Sequence, residues 1–470
     1  MPTSSHKMNF PKLPSHLQLM VFFLIVGCTE NTNQLSSNTV ALVNGVPITK
    51  EELIFRLELT VLPEFQKLMG RNERVLDVLI DELVVSQWAE GEDLTSSPVY
   101  QEAVDFVKQQ ALIRELFFEE IKYHAEPDSA NIYQALQKSI QELSIQILFT
   151  ENQDISERWR QSLLSGKTFN ELVNESRDNP FININNSMLK WGDGSVPISI
   201  EIIAYQLKLG ESSDLLELND VYLIFSINDK TREIILTEYD YSLKWQRVKQ
   251  VLQARIESRL ANEYVDNILT HLDITQRATG FLEVSRYIED KLGVSSEHSI
   301  PHPSGTGEEF PASLDYNLDL PVVETPDYTW TGKNVLSIIR KYNYRVNSNS
   351  PIGLRSTLTQ FLKGAVRDQY LSERAKQLGL ESKTRVKQDV QMWSRYFLYM
   401  QGVTAFVERD TSLTNSALIA ARIKELRRNA QITINYNLLE TIELTGIPML
   451  AFWNGGITRQ LAVPPLLEFR

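Results

Sequence analysis

Residues 143–149 read Leu-Ser-Ile-Gln-Ile-Leu-Phe, and this stretch marks the start of a folded unit at the centre of the chain. Its alternating apolar and polar residues predict a half-buried β-strand. Beyond it, apolar residues recur at helical spacing from Trp159 to Val173, and Gly166 divides that run into two short helices. The unit therefore begins with one strand and two helices.

The same unit continues with another strand, a helix and two further strands. Residues 187–194 predict the second strand, and residues 198–209 predict an amphipathic helix that Gly210 ends. A tight turn joins the last two predicted strands, residues 214–218 and 221–227. The predicted order of elements is β-α-α-β-α-β-β.

Two short motifs in this unit resemble signatures of a known family. Residues 163–169, Leu-Leu-Ser-Gly-Lys-Thr-Phe, resemble the Leu-x-x-Gly-x-x-Phe helix junction of the parvulin family of peptidyl-prolyl isomerases. Residues 207–213, Leu-Lys-Leu-Gly-Glu-Ser-Ser, resemble the family's Leu-x-x-Gly-Glu-x-Ser turn. Both motifs are in register with the predicted elements. Residues 141–229 are therefore identified as parvulin-like, which implies a small domain built on an antiparallel sheet.

The resemblance also implies a binding slot for the proline ring of a client. The matching positions here are all apolar: Met188, Val196 and Ile200. Ile200 replaces an aromatic ring that is common in the family, so a stacking contribution to binding is expected to be weaker. These three residues are the predicted substrate-binding residues.

The polar group beneath the slot departs from the family pattern, which usually contains two hydrogen-bonded histidines and a nearby Cys or Asp. The two histidine positions are occupied by Gln146 and Leu223, and Asp178 matches the third position. Glutamine can still form hydrogen bonds, whereas leucine offers no polar group. Asp178 and Gln146 are the remaining catalytic candidates. The resemblance implies a peptidyl-prolyl isomerase, but the degenerate site predicts weak or absent activity and leaves open whether the chain is an enzyme.

The amino-terminal residues resemble a bacterial lipoprotein signal. Two lysines precede a short apolar run, residues 19–26, and the single cysteine of the chain, Cys28, ends a lipobox-like Ile-Val-Gly-Cys. The run is too short to span the roughly 30 Å of bilayer hydrocarbon. We expect residues 1–28 to be a signal peptide and Cys28 to carry the lipid anchor. Thr29, in place of the Asp of an inner-membrane retention signal, favours the periplasmic face of the outer membrane.

The first residues expected to fold resemble the start of a chaperone module. Residues 43–49, Val-Asn-Gly-Val-Pro-Ile-Thr, predict a hairpin, and Thr49 with Glu52 predicts a capping box at the start of a helix. This pattern resembles the N-terminal module of SurA- and PrsA-type foldases. The last third of the chain echoes it, since Ala375–Leu380 before a predicted helix resembles Ala89–Leu94 before another.

The expected fold class is α+β, with a small antiparallel-sheet domain inserted between mainly α-helical chaperone modules. After the signal peptide, the expected divisions are a flexible tether at 29–38, an N-terminal helical module at 39–140, the parvulin-like domain at 141–230, a helical segment at 231–294, a Pro-rich linker at 295–329 and a second helical module at 330–470. An apolar patch formed by residues 432–434, 438–445 and 447–453 has two interpretations: it packs back onto the helical modules, or it docks a partner or the membrane surface.

Composition and motifs argue against several classes of function. A net charge of −13 without a long run of Lys or Arg argues against nucleic acid as the partner. His298 and His302 have no Cys or acidic cluster at ligand spacing, so no metal site is expected. The motifs of nucleotide-binding loops, serine hydrolases and zinc proteases do not occur in the sequence, and no cofactor is expected.

These features together predict a membrane-anchored extracytoplasmic folding factor that acts mainly as a chaperone. Its expected clients are unfolded or nascent envelope or secreted proteins with proline-containing or aromatic-rich segments. An alternative of a different class is a structural or assembly lipoprotein whose non-catalytic parvulin-like domain binds one fixed partner. The degenerate site favours the alternative, whereas the lipobox, the hairpin and the parvulin-like centre together favour the folding factor.

Overall fold

The fold is α+β, as predicted, with long helices and small antiparallel sheets. The structure is a computed structural model that describes residues 36–59, 70–292, 298–299, 316–346, 350–409, 415–444, 452–453 and 460–469. The predicted signal peptide, the predicted lipidation site Cys28 and most of the predicted tether lie outside the described residues. So do residues 445 and 447–451 of the predicted apolar patch, whereas its parts at 432–434 and 438–444 pack in an apolar core of the helical regions.

The first part of the fold is a hairpin followed by helices. Its elements are β1 (Thr39–Val43), β2 (Val46–Thr49), α1 (Lys50–Glu58), α2 (Arg71–Gly91), α3 (Pro98–Glu120) and α4 (Ser129–Ser139). Asn44 and Gly45 between the strands have φ angles of 50° and 83°, which a two-residue type I′ turn requires. Pro98 suits the first position of α3 because that position needs no backbone N–H.

The central unit has the predicted order β-α-α-β-α-β-β. Its elements are β3 (Gln141–Thr150), α5 (Gln153–Leu164), α6 (Phe169–Ser176), β4 (Asn183–Lys190), α7 (Ile198–Ala204), β5 (Leu216–Leu218) and β6 (Val221–Arg232). Gly166, with a φ of 90°, separates α5 from α6. Helix α7 ends at Ala204, earlier than predicted, and the Tyr205 hydroxyl just beyond it donates to the Gln141 carbonyl at 2.7 Å.

The remaining described part contains one very long helix and a second hairpin with helices around it. Its elements are α8 (Glu238–Leu269), β7 (Thr275–Gln276), α9 (Ala278–Leu292), β8 (His298–Ser299), β9 (Pro321–Glu324), β10 (Thr329–Thr331), α10 (Gly332–Lys341), β11 (Arg345–Val346), α11 (Pro351–Gln377), α12 (Thr384–Arg409), α13 (Asn415–Asn429), β12 (Ile432–Ile434), α14 (Tyr436–Glu440), β13 (Phe452–Trp453) and β14 (Gln460–Leu461).

The carboxyl-terminal end of the expected Pro-rich linker is folded. Strands β9 and β10 pair as a hairpin. Val322 of β9 is fully buried in an apolar cluster with residues of the neighbouring helices. Pro321 is tolerated because it is the first residue of its strand, and Pro326 lies in the turn. The proline content of this segment therefore indicated strand ends and a turn as well as a break between modules.

The central sheet has the strand order β4-β3-β6-β5 and is antiparallel throughout. Successive residues of β3 point to opposite faces of this sheet. Leu143 and Ile145 pack towards α7 in one apolar cluster, whereas Leu148 packs against α5 and α6 in another. Helices thus cover parts of both faces, which is why β3 carries apolar residues on both sides.

Two parts of the chain repeat the same sequence of elements. The first repeat comprises β1, β2, α1, α2 and α3, and the second comprises β9, β10, α10, α11 and α12. Thr49 and Thr331 cap the first helix of each repeat with their side chains. Asp93 and Gly379, in the left-handed region at φ 60° and 71°, begin the 3-10 turn between the two long helices. The similarity of residues 89–94 and 375–380 marks this turn.

The two repeats exchange a strand with each other. Strand β12, which follows the second repeat, pairs with β1 of the first, and β7, which follows the first, pairs with β9 of the second. One apolar core accordingly combines side chains of β1, α1 and α2 with side chains of α12, α13 and α14. The N-terminal and C-terminal helical regions, which the sequence suggested as successive modules, interlock because each completes the sheet of the other.

Buried charges lie at this interlock. Glu82 of α2 accepts from Arg56 at 2.8 Å and from Arg395 of α12 at 3.0 Å. Arg395 also pairs with Glu52. Thr49 accepts a hydrogen bond from the Glu52 N–H at 3.2 Å, so that half of the predicted capping box forms, while the Glu52 carboxylate is used in the ion pair. Two carboxylates balance two guanidinium groups, which makes the burial of these charges tolerable.

Candidate functional site

Two of the three predicted slot residues lie together on one face of the central sheet. Ile200 of α7 and Val196 just before it pack in the apolar cluster that includes Leu189, Leu223 and Phe149. Ile200 is 4% exposed and Leu223 is 6% exposed. Their side chains therefore form part of the core between α7 and the sheet, and they present little surface to a proline ring.

Met188 does not join Val196 and Ile200. It neighbours Leu189 on β4, and adjacent residues of a strand point to opposite faces. Leu189 is buried in the Ile200 cluster, and Met188 is half exposed on the other side. The residue that completes the apolar group is therefore Leu189. Met188 and Leu189 differ by one position along the strand, and this single step decides which of them faces the cluster. The motif match did not distinguish the two.

Gln146 is also on the face opposite Ile200. Its neighbours Ile145 and Ile147 pack in the Ile200 cluster, so the Gln146 side chain points to the face that α5 and α6 partly cover. It lies opposite Asn186 on β4 and Ser226 on β6. The sheet itself thus separates the Gln146 side chain from the apolar cluster at Leu223.

Asp178 lies in the turn after α6 and is exposed. Within the described part of the chain no hydrogen bond joins the side chains of Asp178 and Gln146. The structure thus does not assemble the polar relay that a parvulin site would need. What the arrangement offers chemically is an apolar face.

The central unit instead exposes apolar residues along its edge. Strand β4 is the outer strand of the sheet, so the backbone groups on its outer side are outside the ladder. Phe181, Ile184 and Met188 are 67%, 36% and 50% exposed along this edge. We call these three residues the edge-strand surface. An open strand edge flanked by apolar side chains can pair with an extended polypeptide by strand addition.

Sequence analysis did not identify the contact that fixes the central unit on the long helix α8. Glu201 of α7 is almost fully buried, accepts from the Gly192 N–H at 2.8 Å, and pairs with Arg255 of α8 at 2.7 Å. The Arg255 guanidinium also lies 4.7 Å from the centre of the Trp191 ring, a cation–π contact. The Trp-Gly sequence at 191–192 was the available signal, because a close backbone approach favours glycine there.

Gly192 shows how close this contact is. Its φ of 73° lies in the left-handed region, and a Cβ atom there would lie 2.9 Å from Cγ1 of Val251 on α8. Trp191 and Val248 belong to an apolar cluster that also includes residues of α4. The central unit is therefore seated on α4 and α8 by a specific interface, which holds its exposed edge in a defined direction.

Metal-binding clusters and membrane-spanning helices are both absent from the described residues. In these ranges no group of three or more His, Cys, Asp or Glu side chains could hold a metal ion. Each helix of the described part is too short or too polar to cross a bilayer.

Comparison with known proteins gives matches only among solved structures. No protein-family model and no curated protein matches the chain. The chain is similar to a structure from work on PEB4 and Cj1289, two SurA-like chaperones of Campylobacter jejuni, with 17% identity, 51% of this chain and 100% of that chain covered, and a TM-score of 0.24.

Two foldases give similar matches. For foldase PrsA from Streptococcus pneumoniae the identity is 15%, the coverage is 45% of this chain and 84% of that chain, and the TM-score is 0.19. For PrsA from Bacillus subtilis the identity is 16%, the coverage is 51% of this chain and 94% of that chain, and the TM-score is 0.16.

Proposed function

We propose that this protein is a lipid-anchored, extracytoplasmic folding factor that holds unfolded segments of envelope or secreted proteins. The observation that carries the proposal is the edge-strand surface. Phe181, Ile184 and Met188 expose apolar area beside a strand edge with which no described strand pairs. Apolar side chains beside such an edge suit a surface that binds other chains.

The packing of the molecule supports a holding function. The two repeats interlock through exchanged strands, and the Glu201–Arg255 contact seats the central unit on α8. These contacts fix the position of the central unit on α8. Part of the entropy cost of binding a client is reduced when the binding surface is already ordered.

Isomerase activity is proposed to be weak or absent. Rotation about an X-Pro bond faces a barrier of about 18–20 kcal/mol, and catalysis requires groups that favour the twisted amide. Leu223 supplies no polar group, and Gln146 is on the other face of the sheet from Ile200. Binding of proline-containing or aromatic-rich segments does not depend on that relay.

The proposed location is the periplasmic face of the outer membrane, with acylated Cys28 as the anchor. The lipobox supports this proposal. Metabolic labelling with a palmitate analogue tests it, with Cys28→Ser as the control. We expect label on the native chain and none on the Cys28→Ser variant. A native chain without label would contradict the proposed lipid anchor.

The central test is suppression of client aggregation by the mature chain. An unfolded model client is diluted from denaturant, and light scattering is followed with and without the protein at equal molar ratio. We expect scattering to fall in proportion to the amount of protein added. A chain that leaves the aggregation of several unfolded clients unchanged would not be a holding chaperone.

The degenerate relay also favours a second candidate, an assembly lipoprotein with one fixed partner. In-cell crosslinking followed by mass spectrometry separates the two. Many unrelated envelope proteins in low yield indicate a chaperone, whereas one protein in stoichiometric yield indicates a scaffold.

A further inference from the structure

The two interlocked repeats contain the same groove twice. When Ala89 is aligned with Ala375, Phe106 of α3 corresponds to Met392 of α12, because each lies 17 residues after its alanine. Leu59 and Tyr342 correspond as the cap residues at the ends of α1 and α10. The contact between Leu59 and Met392 in one groove therefore has its counterpart in the contact between Tyr342 and Phe106 in the other, whose ring centres are 4.9 Å apart.

The groove between α1 and α12 is filled by the last described segment of the chain, residues 460–469. Val463 is 2% exposed and packs on Leu59 and Met392. The Pro465 carbonyl accepts from Arg56 at 3.5 Å, and Leu466 is buried in the adjoining core. The occupant is thus a non-helical segment with apolar side chains and two consecutive prolines.

Within the described part of the chain, no segment fills the corresponding groove between α3 and α10. It forms a cavity of about 270 Å³ in which Trp330, Ile338 and Tyr342 lie among polar side chains such as Gln109 and Asn334. Tyr342, the counterpart of Leu59, belongs to this lining, as Leu59 belongs to the cluster that Val463 joins in the other groove. The difference follows from the chain, because the segment that fills the first groove has no second copy among the described residues.

Charged groups surround this groove. Glu102 and Asp105 of α3 lie on its rim, are exposed, and face Lys341 of α10. Burial lowers the pKa of Lys341, and the Asp105 and Glu102 carboxylates oppose that shift. Among the residues that line the cavity, two carboxylates face one ammonium, while Lys376, whose charge also acts on Lys341, is outside the lining. The lining is therefore net negative, which favours a positively charged side chain of an occupant.

We propose that the groove between α3 and α10 binds an extended segment of a client polypeptide in which apolar residues, proline among them, precede a basic side chain. The segment that fills the equivalent groove has apolar side chains and two prolines, so a similar segment is expected here. The carboxylates of Glu102 and Asp105 favour a basic side chain next to it. The inference deepens the proposed chaperone function and rests on it, because it names the kind of client segment that the protein holds.

The probe for this site is a fluorescent peptide with the sequence of residues 460–470, Gln-Leu-Ala-Val-Pro-Pro-Leu-Leu-Glu-Phe-Arg. We expect saturable binding to the full chain by fluorescence anisotropy. Ile338→Asp, which charges the apolar lining, should weaken binding about tenfold or more, while Ile352→Asp on an exposed site of α11 should not. A peptide ending in Glu in place of Arg should also bind more weakly.

A second measurement leaves the protein unchanged, so it does not depend on the folding of a variant. The peptide carries photoreactive benzoylphenylalanine in place of Phe469, and crosslinks are mapped by mass spectrometry. Crosslinks to residues 98–120 and 332–341 are expected. Crosslinks confined to residues 50–59 and 384–409 would mean that the peptide only replaces the native segment, and would overturn the proposal.

Failure of the site and failure of the chaperone function give different results. If the peptide binds at α3 and α10 but the protein does not suppress aggregation, the site is confirmed and the proposed chaperone function is contradicted. Suppression of aggregation that is equal in the native chain and in Ile338→Asp, with no peptide bound by either, would overturn this site and leave the edge-strand surface as the client contact.

Discussion

Ile434 of β12 pairs with Ala41 of β1, which joins the last part of the chain to the first strand of the fold. The reciprocal pair, Gln276 of β7 with Val323 of β9, completes the sheet of the second repeat. Each hairpin therefore gains its third strand from the part of the chain that follows the other repeat. Loss of packing in one repeat is expected to affect the other.

Glu82 is predicted to be the most sensitive charged residue in the frame. Glu82→Gln leaves Arg56 and Arg395 without their shared carboxylate in a site where Arg56 is fully buried. Breaking a buried pair in this way costs about 3–5 kcal/mol. Urea unfolding should show a clearly lower midpoint, whereas Glu425→Gln, in the exposed Arg422–Glu425 pair, should change it little. Equal midpoints for both variants would contradict the network.

Asp81 is predicted to give the frame a dependence on pH. Burial raises the pKa of its carboxyl group to about 6, although Arg427 opposes the shift. Between about pH 4 and pH 6 the folded state then holds a proton that the unfolded state has lost, so stability falls as pH rises through this window. The thermal midpoint of the native chain should fall relative to that of Asp81→Asn from pH 4 to pH 7. A constant difference would be the wrong outcome for this assignment.

Gly192 and Gly194 form a matched pair of test positions. Both have positive φ, 73° and 76°, so an alanine at either costs roughly 1–2 kcal/mol of backbone strain. Only Gly192→Ala also places a Cβ atom 2.9 Å from Val251 on α8, whereas the space around Gly194 is open. Limited proteolysis between β6 and α8 should therefore be faster for Gly192→Ala. Identical digestion of the two variants would show that the contact with α8 is unimportant.

The edge-strand surface is predicted to be needed for holding clients. Ile184→Asp combined with Met188→Asp places two charges on exposed positions of β4 and should weaken aggregation suppression several-fold. Because both side chains are substantially exposed, the unfolding midpoint should remain close to that of the native chain. Ile352→Asp, on α11 far along the chain, is the matched control and should retain full suppression. Unchanged suppression in the double variant would exclude this surface.

Catalysis is predicted to be close to background. In proline-limited refolding of a client, the mature chain should leave the slow phase nearly unaccelerated, and Asp178→Ala should behave like the native chain. The reason is that Asp178 is exposed and Leu223 is part of an apolar core. Acceleration typical of active parvulins, abolished by Asp178→Ala, would make the protein an isomerase first.

The predictions from sequence that concern neighbouring residues agree with the structure. The β-α-α-β-α-β-β order, the Asn44-Gly45 turn and the break at Gly166 all depend on periodicity and turn chemistry within a few residues. The α+β class follows from the same local patterns. The two motifs at 163–169 and 207–213 form turns, in which Gly166 and Gly210 have φ angles of 90° and 78°, a conformation that favours glycine.

The candidate site was only partly accessible from sequence. Val196 and Ile200 do lie together, but Met188 and Gln146 fall on the other face of the sheet. In a strand a shift of one residue moves a side chain to the opposite face, so a match of motif positions does not ensure a shared site. The Glu201–Arg255 contact joins two residues on different helices, and no local pattern marks such a pair.

The sequence by itself thus determined the secondary structure of the central unit, its antiparallel class and the existence of two similar helical segments. Tertiary structure alone decided that the two segments interlock, that residues 460–469 occupy one groove and that no described segment fills its counterpart. The physical reason is the range of the interactions. Helix periodicity and turn geometry are set by adjacent residues, whereas strand exchange and groove filling depend on which distant apolar surfaces bury each other best.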